Sequence, residues 1–149
     1  MAGLLSVSRP TAKGPRRLIV GQADVDSMFA HSIRETPNEA CGVLVGVGES
    51  VESVAMVANV DASPYTYSID SRELNRAFTE AMDAGLDVIG NFHSHTRTDA
   101  YPSPTDVKTA TFLSEWIHCL VSLKYDMPAM RAYRIIEGEI FEIPVLVDG

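Results

Sequence analysis

The sequence predicts a mixed α/β fold, and three observations carry that prediction. Short valine-rich runs bounded by Gly, Pro and polar residues recur along the chain, as half-buried or buried strands do. Segments with apolar residues at helical spacing alternate with them. The 149 residues, 46% of them hydrophobic, supply enough apolar side chain for one compact core.

The elements follow in order. Residues 1–16, MAGLLSVSRPTAKGPR, mix small residues with Pro10, Gly14 and three basic side chains and hold no sustained period, so they are expected to form a flexible N-terminal tail ahead of a single domain over 17–149. Leu4, Leu5 and Val7 make too short an apolar run for a signal-peptide core, and the basic residues follow that run instead of preceding it. Leu18-Ile19-Val20 reads as a strand. Val25, Met28, Phe29, Ser32 and Ile33 then stand at helical spacing before Pro37 stops the helix. Residues 40–47 and 51–57, separated by Gly-Glu-Ser, predict a hairpin. Asp70 is placed to cap a helix with Glu73 at its third position, and Leu74, Ala77, Phe78 and Ala81 form its apolar stripe up to Gly85. Residues 86–95 predict a largely buried strand, and Ser103-Pro104 the start of a third helix. Residues 117–123, 129–136 and 139–147 predict three further strands, with Glu137-Gly138 turning the last pair.

Composition narrows the function. A formal charge of −8 offers no positive field for phosphates, so neither nucleic acid nor an anionic membrane surface is an expected partner. No stretch reaches the roughly 18 uninterrupted apolar residues of a membrane-spanning helix. Two cysteines, Cys41 and Cys119, are too few for a disulfide framework and form no Cys-x-x-Cys pair, which suits a reducing, cytoplasmic setting.

The chemistry concentrates in HSHTRTDAYPSPTD, residues 93–106. Alternate residues of a strand share a face, so His93 and His95 can turn both imidazoles to one ion. Neutral imidazole is a good zinc ligand, and Asp106 is placed to complete a three-ligand set that leaves a fourth position for water. A lone histidine is more often a surface or core residue, and His31 and His118 are given that reading. Ser103 and Asp106 read equally well as a helix start, with serine capping and an acid in the first turn. Ser103 can fill both roles, whereas at Asp106 metal binding and helix support are expected to compete. Hydrolysis also needs a proton carrier. Glu39, where a loop becomes the first strand of the hairpin, is one candidate and Glu35 its neighbour, and the residues alone leave both open. Cys41 shares the parity of Glu39 but reads more simply as a buried thiol. Tyr65, Tyr67 and Tyr101 read as packing residues and Asn91 as a strand hydrogen-bonding residue, so none receives a role.

These residues resemble the JAMM, or MPN-plus, family of zinc-dependent isopeptidases, whose signature is a glutamate near the first strand followed by H-x-H-x7-S-x2-D. The resemblance runs from about residue 22 to residue 147 and selects Glu39 over Glu35. It implies a curved mixed sheet flanked by helices in a cytidine-deaminase-like architecture. It also implies a Zn2+ ion held by His93, His95 and Asp106, with Glu39 as acid-base residue and Ser103 as a donor to the oxyanion. The segments Glu-Ala-Cys-Gly, Ser-Pro-Tyr-Thr-Tyr and His-Ser-His-Thr are similar to compact prokaryotic members of the Mec type. That likeness implies hydrolysis after the C-terminal Gly-Gly of a ubiquitin-like or sulfur-carrier protein, releasing cysteine or a short extension. Thr96 replaces the proline that follows the second histidine in many eukaryotic deubiquitinating members, which argues against polyubiquitin. Two other classes stay in view: a catalytically silent scaffold of the same fold, and a zinc hydrolase of small-molecule amides. Nucleobase deamination is disfavoured, because its H-x-E and P-C-x-x-C pattern is absent.

Overall fold

The computed structural model describes residues 14–149. Most of the expected tail, residues 1–13, lies outside the described residues. The last part of that stretch is held to the body: Arg16 donates its backbone N–H to Glu49 (2.9 Å), and the carbonyl of Pro15 accepts from the buried Arg134 guanidinium.

Eight strands form one sheet in the order β7-β6-β5-β4-β2-β3-β1-β8. They are β1 (Leu18–Gly21), β2 (Cys41–Val47), β3 (Ser50–Val57), β4 (Asp87–His95), β5 (Ile117–Ser122), β6 (Ala129–Ile136), β7 (Glu139–Ile143) and β8 (Val145–Asp148). The sheet is mixed: β1 runs parallel to β3 and β8, β4 runs parallel to β5, and the other neighbours are antiparallel. The expected single strand over 139–147 is two strands broken at Pro144. Proline cannot donate to a ladder. Here its carbonyl instead accepts from Leu18 N–H at 2.8 Å and starts the pairing with β1. One residue therefore separates β7 from β8, which sit at opposite ends of the strand order, so the sheet curves until its two edges nearly meet.

Two helices pack on this sheet, α1 (Gln22–Glu35) and α2 (Ser71–Asp83), and a short third, α3 (Pro104–Thr109), buries no side chain. In α1, Val25, Met28 and Ser32 are buried, whereas Ile33, expected in the apolar stripe, is 53% exposed because it falls off that face. Asp70 does stand at the N-cap of α2, but its side chain makes no capping bond. The end of α2 follows the expected chemistry: Gly85 at φ +74 lets Leu86 N–H return to Ala81 carbonyl at 2.8 Å and Gly85 N–H to that of Met82 at 3.0 Å.

The two faces of the sheet have separate cores. Leu44, Phe92, Ile117, Cys119, Val121 and Ala132 pack with Val25 and Met28 of α1. Val43 and Val45 pack with Ala77 and Ala81 of α2. Pair register puts Asn91 opposite Val43 and His93 opposite Cys41, so the histidines lie on the second face. They sit at the C-terminal end of β4, between β2 and the parallel β5, in the middle of the sheet.

Candidate metal centre and active site

β4 is buried from Ile89 onward, and its last residues deliver His93 and His95 to one point. His93 Nε2 and His95 Nε2 lie 3.2 Å apart, and Asp106 Oδ2 lies 3.2 Å from the first and 3.1 Å from the second. This near-equilateral triangle of two nitrogens and one oxygen suits a tetrahedral ion, since zinc bonds of about 2.0–2.1 Å give ligand-to-ligand edges of about 3.3 Å. Among the described residues, these three form the group able to hold a metal ion together.

The donor chemistry agrees with the geometry. His95 Nδ1 lies 2.8 Å from the carbonyl of Asp99, an acceptor only, so that nitrogen carries the proton and the neutral ring presents a lone pair at Nε2. That lone pair faces a carboxylate oxygen, an arrangement that calls for positive charge between the two atoms. Burial opposes a charge on His95, yet the Asp106 carboxylate outweighs it and raises the His95 pKa. For His93, which is more deeply buried, burial wins and the pKa falls, as a neutral ligand requires. Burial would by itself raise the pKa of Asp106, but the two imidazoles beside it hold its carboxyl well below the usual range.

Asp106 reaches the histidines because a capping box opens α3. Ser103 Oγ accepts from Asp106 N–H at 3.1 Å, and Asp106 Oδ2 accepts from Ser103 N–H at 2.9 Å. The competition expected at Asp106 comes down to one atom, because the same Oδ2 that accepts from Ser103 N–H at the helix start also faces both histidines. A carboxylate oxygen has two lone pairs to divide between these partners. Ser103 Oγ uses a lone pair for the cap, which leaves its O–H proton available.

Glu39 precedes β2 and is brought to the same place by register. Cys41 pairs with His93, and Ala40 continues the alignment through Ser94, whose N–H donates to Ala40 carbonyl at 3.0 Å and whose Oγ accepts from Ala40 N–H at 2.8 Å. This brings Glu39 near enough to His95 for each to shift the other's pKa. The backbone of Glu39 is clamped by the 58–69 segment, with its N–H on Ser63 carbonyl (2.8 Å) and its carbonyl accepting from Asn59 Nδ2 (3.0 Å). Its side chain is 5% exposed, and Oε1 makes no hydrogen bond among the described residues. Burial pushes the carboxyl up to about 7; His95 pulls it down, while Asp106 and Asp61 push it up. Glu35 instead ends α1 and is not part of this cluster.

Cys41 is fully buried, and burial pushes its thiol up to about 12; its sulfur faces the carbonyls of Val57 and Ala58 at 3.8 and 3.7 Å. His118 is buried, its pKa lowered by burial to about 4, and His31 stands beside Phe92; neither joins the cluster. The three tyrosines part company. Tyr65 and Tyr101 are 74% and 56% exposed, whereas Tyr67 stacks on His93 with ring centroids 4.3 Å apart. Asn91 Nδ2 donates to Tyr67 Oη at 3.2 Å. Sequence reasoning gave neither Tyr67 nor Asn91 a place at the site; the shared parity of Asn91 and His93 was the available signal, and Tyr67 had none.

Residues 21–136 match the family described as prokaryotic homologs of the JAB domain. The chain is 38% identical over 138 residues to the CysO-cysteine peptidase of Mycobacterium tuberculosis, covering 91% of this chain and 94% of that protein. It is 32% identical over 130 residues to the "Probable TtuB-protein conjugate cleaving protease" of Thermus thermophilus, covering 87% and 83%. A protein of Desulfitobacterium hafniense solved in solution superposes with a TM-score of 0.80 at 32% identity, over 88% of this chain and 92% of the other.

Proposed function

The chain belongs to the family of prokaryotic homologs of the JAB domain, and on that premise we propose that it is a zinc-dependent peptidase that hydrolyses the bond after the C-terminal Gly-Gly of a ubiquitin-like or sulfur-carrier protein. Cysteine or a short extension is the group released. The observation that carries this reading is the triangle of His93, His95 and Asp106 with the buried Glu39 close enough to feel the charge of His95 and Asp106. The names of the mycobacterial and Thermus relatives, which act on CysO and on TtuB conjugates, support the substrate class. Cys41 and Cys119, both buried and free, suit a reducing cytoplasm. Among the described residues no helix is long and apolar enough to cross a membrane.

His93, His95 and Asp106 are the residues that would hold zinc. Bound there, the ion would polarise the scissile carbonyl and lower the pKa of a coordinated water to about 7. The chain's own groups do the rest. Glu39, with a pKa near 7, takes a proton from the attacking water and passes it to the leaving amine. Its burial is what makes it basic enough to accept a proton and acidic enough to return it at neutral pH. The Ser103 hydroxyl donates to the carbonyl oxygen as negative charge grows there.

The test is mass spectrometry of a panel of ubiquitin-like carriers with different extensions beyond Gly-Gly, incubated with the native protein and with Glu39→Gln. Extensions removed by the native protein alone support the reading. Cleavage of small amides but of no carrier would favour the small-molecule hydrolase instead, and protein lacking near-stoichiometric zinc after zinc-replete expression would favour the silent scaffold.

A further inference from the structure

We propose that Tyr67 is a positioning residue that fixes the imidazole plane of His93, and that Asn91 anchors Tyr67 for that task. The inference rests on the zinc reading above and concerns how the site is kept in order.

The two histidines are held by different means. His95 is oriented in the usual way for a ligating histidine, through a hydrogen bond at its other ring nitrogen, here to Asp99 carbonyl. His93 has no counterpart, since its Nδ1 is buried and makes no hydrogen bond among the described residues. The terminal torsion of a histidine is broad, so a ring without such a bond is free to swing unless packing stops it. Swinging would carry Nε2 out of a triangle whose edges are 3.1–3.2 Å.

Packing does stop it. The Tyr67 ring lies against His93 at 4.3 Å between centroids and 20° between planes, while His95 meets the other ring edge-on at 5.0 Å and 60°. A face-to-face neighbour restricts rotation about the ring torsion far more than an aliphatic one, because any turn of the imidazole drives an edge into the phenol. The phenol is itself tied down: Asn91 Nδ2 donates to its Oη at 3.2 Å. Asn91 stands two residues before His93 on β4 and shares its face, so the strand that carries the ligand also carries the anchor. The segment bearing Tyr67 is fixed to the site on its other side, since Thr66 carbonyl accepts from Asn59 Nδ2, the same group that donates to Glu39 carbonyl. The stack thus links the ligand strand to the loop that clamps the acid-base residue.

The experiment compares the parent with Tyr67→Phe, Tyr67→Leu and Asn91→Ala. Two quantities are read: zinc affinity by competition with a chromophoric chelator, and the visible absorption bands of the cobalt(II)-loaded protein, which report ligand geometry. Tyr67→Leu is expected to bind zinc about 10-fold to 100-fold more weakly, with shifted cobalt bands, while its far-UV circular dichroism stays native. Tyr67→Phe keeps the stack but loses the bond from Asn91, and Asn91→Ala loses the same bond, so both are expected to fall between the parent and Tyr67→Leu. A folded Tyr67→Leu protein with the parent's affinity and bands overturns the proposal, as does a lower melting temperature with unchanged metal binding. Should Tyr67→Leu not fold, Tyr67→Met is read by the same criteria. A parent that binds neither zinc nor cobalt overturns the metal reading itself, which separates that failure from the failure of the positioning role.

Discussion

Glu39 is the residue on which the chemistry turns, and burial is the reason. Replacing it with Gln keeps size and polarity but removes the proton site, so turnover is expected to fall about 100-fold to 10,000-fold with zinc content unchanged. Measuring kcat beside metal content checks this, and a fully active variant would remove Glu39 from the mechanism. The same burial makes a stability prediction for zinc-free protein. Folding raises the Glu39 pKa from 4.5 to about 7, so the folded state binds the proton more tightly than the unfolded chain. Stability must then decline as pH rises through that window, and the ionised carboxylate costs about 3 kcal/mol once pH passes 7. Glu39→Gln is expected to be more stable than the parent at pH 8, with the gap closing towards pH 4.5. Denaturant midpoints across that range decide it, and a gap constant with pH would contradict the assignment.

At the scale of elements, α3 is the informative one, because six residues with no buried side chain would not hold a helix by packing. Its capping box does that work, and the box includes the atom that faces both histidines. The two functions of Asp106 are separable by substitution. Asp106→Asn retains an oxygen for Ser103 N–H but loses the charge, so hydrogen-exchange protection in the first turn of α3 should survive while zinc binding weakens. Asp106→Ala should lose both, with about 0.5–2 kcal/mol of capping energy gone. Equal loss of protection in the two variants would mean that the ion, not the cap, organises this turn.

For the molecule as a whole, closure of the sheet is the notable device. Without β8 the strand β1 would present an unpaired edge, whereas in the fold it pairs in parallel along all four residues, from Leu18 with Val145 to Gly21 with Asp148. Ending the chain at Pro144 is therefore expected to lower stability by roughly 2–5 kcal/mol, from the lost ladder bonds. β4 lies three strands away from β1, with β2 and β3 between them, so the protein that remains folded should still take up zinc. Chemical denaturation with metal analysis tests both statements, and an unchanged denaturation midpoint would show that β8 is dispensable.

What the sequence by itself determined is what depends on neighbours along the chain. Two-residue periodicity put His93 and His95 on one face, the Ser103-Pro104-x-Asp106 pattern marked the start of α3, and valine-rich runs around tight turns marked the hairpins. What only the tertiary structure decided depends on partners distant in sequence. The split at Pro144 follows from which edge β8 pairs with, a choice that strand periodicity does not encode. The same holds for Glu39 buried near His95, for Tyr67 stacked on His93, and for the single oxygen of Asp106 that meets both the helix start and the histidines. Local spacing says which side chains share a face, whereas register and loop packing are fixed by burial summed over the whole molecule, and the site is assembled by the second of these.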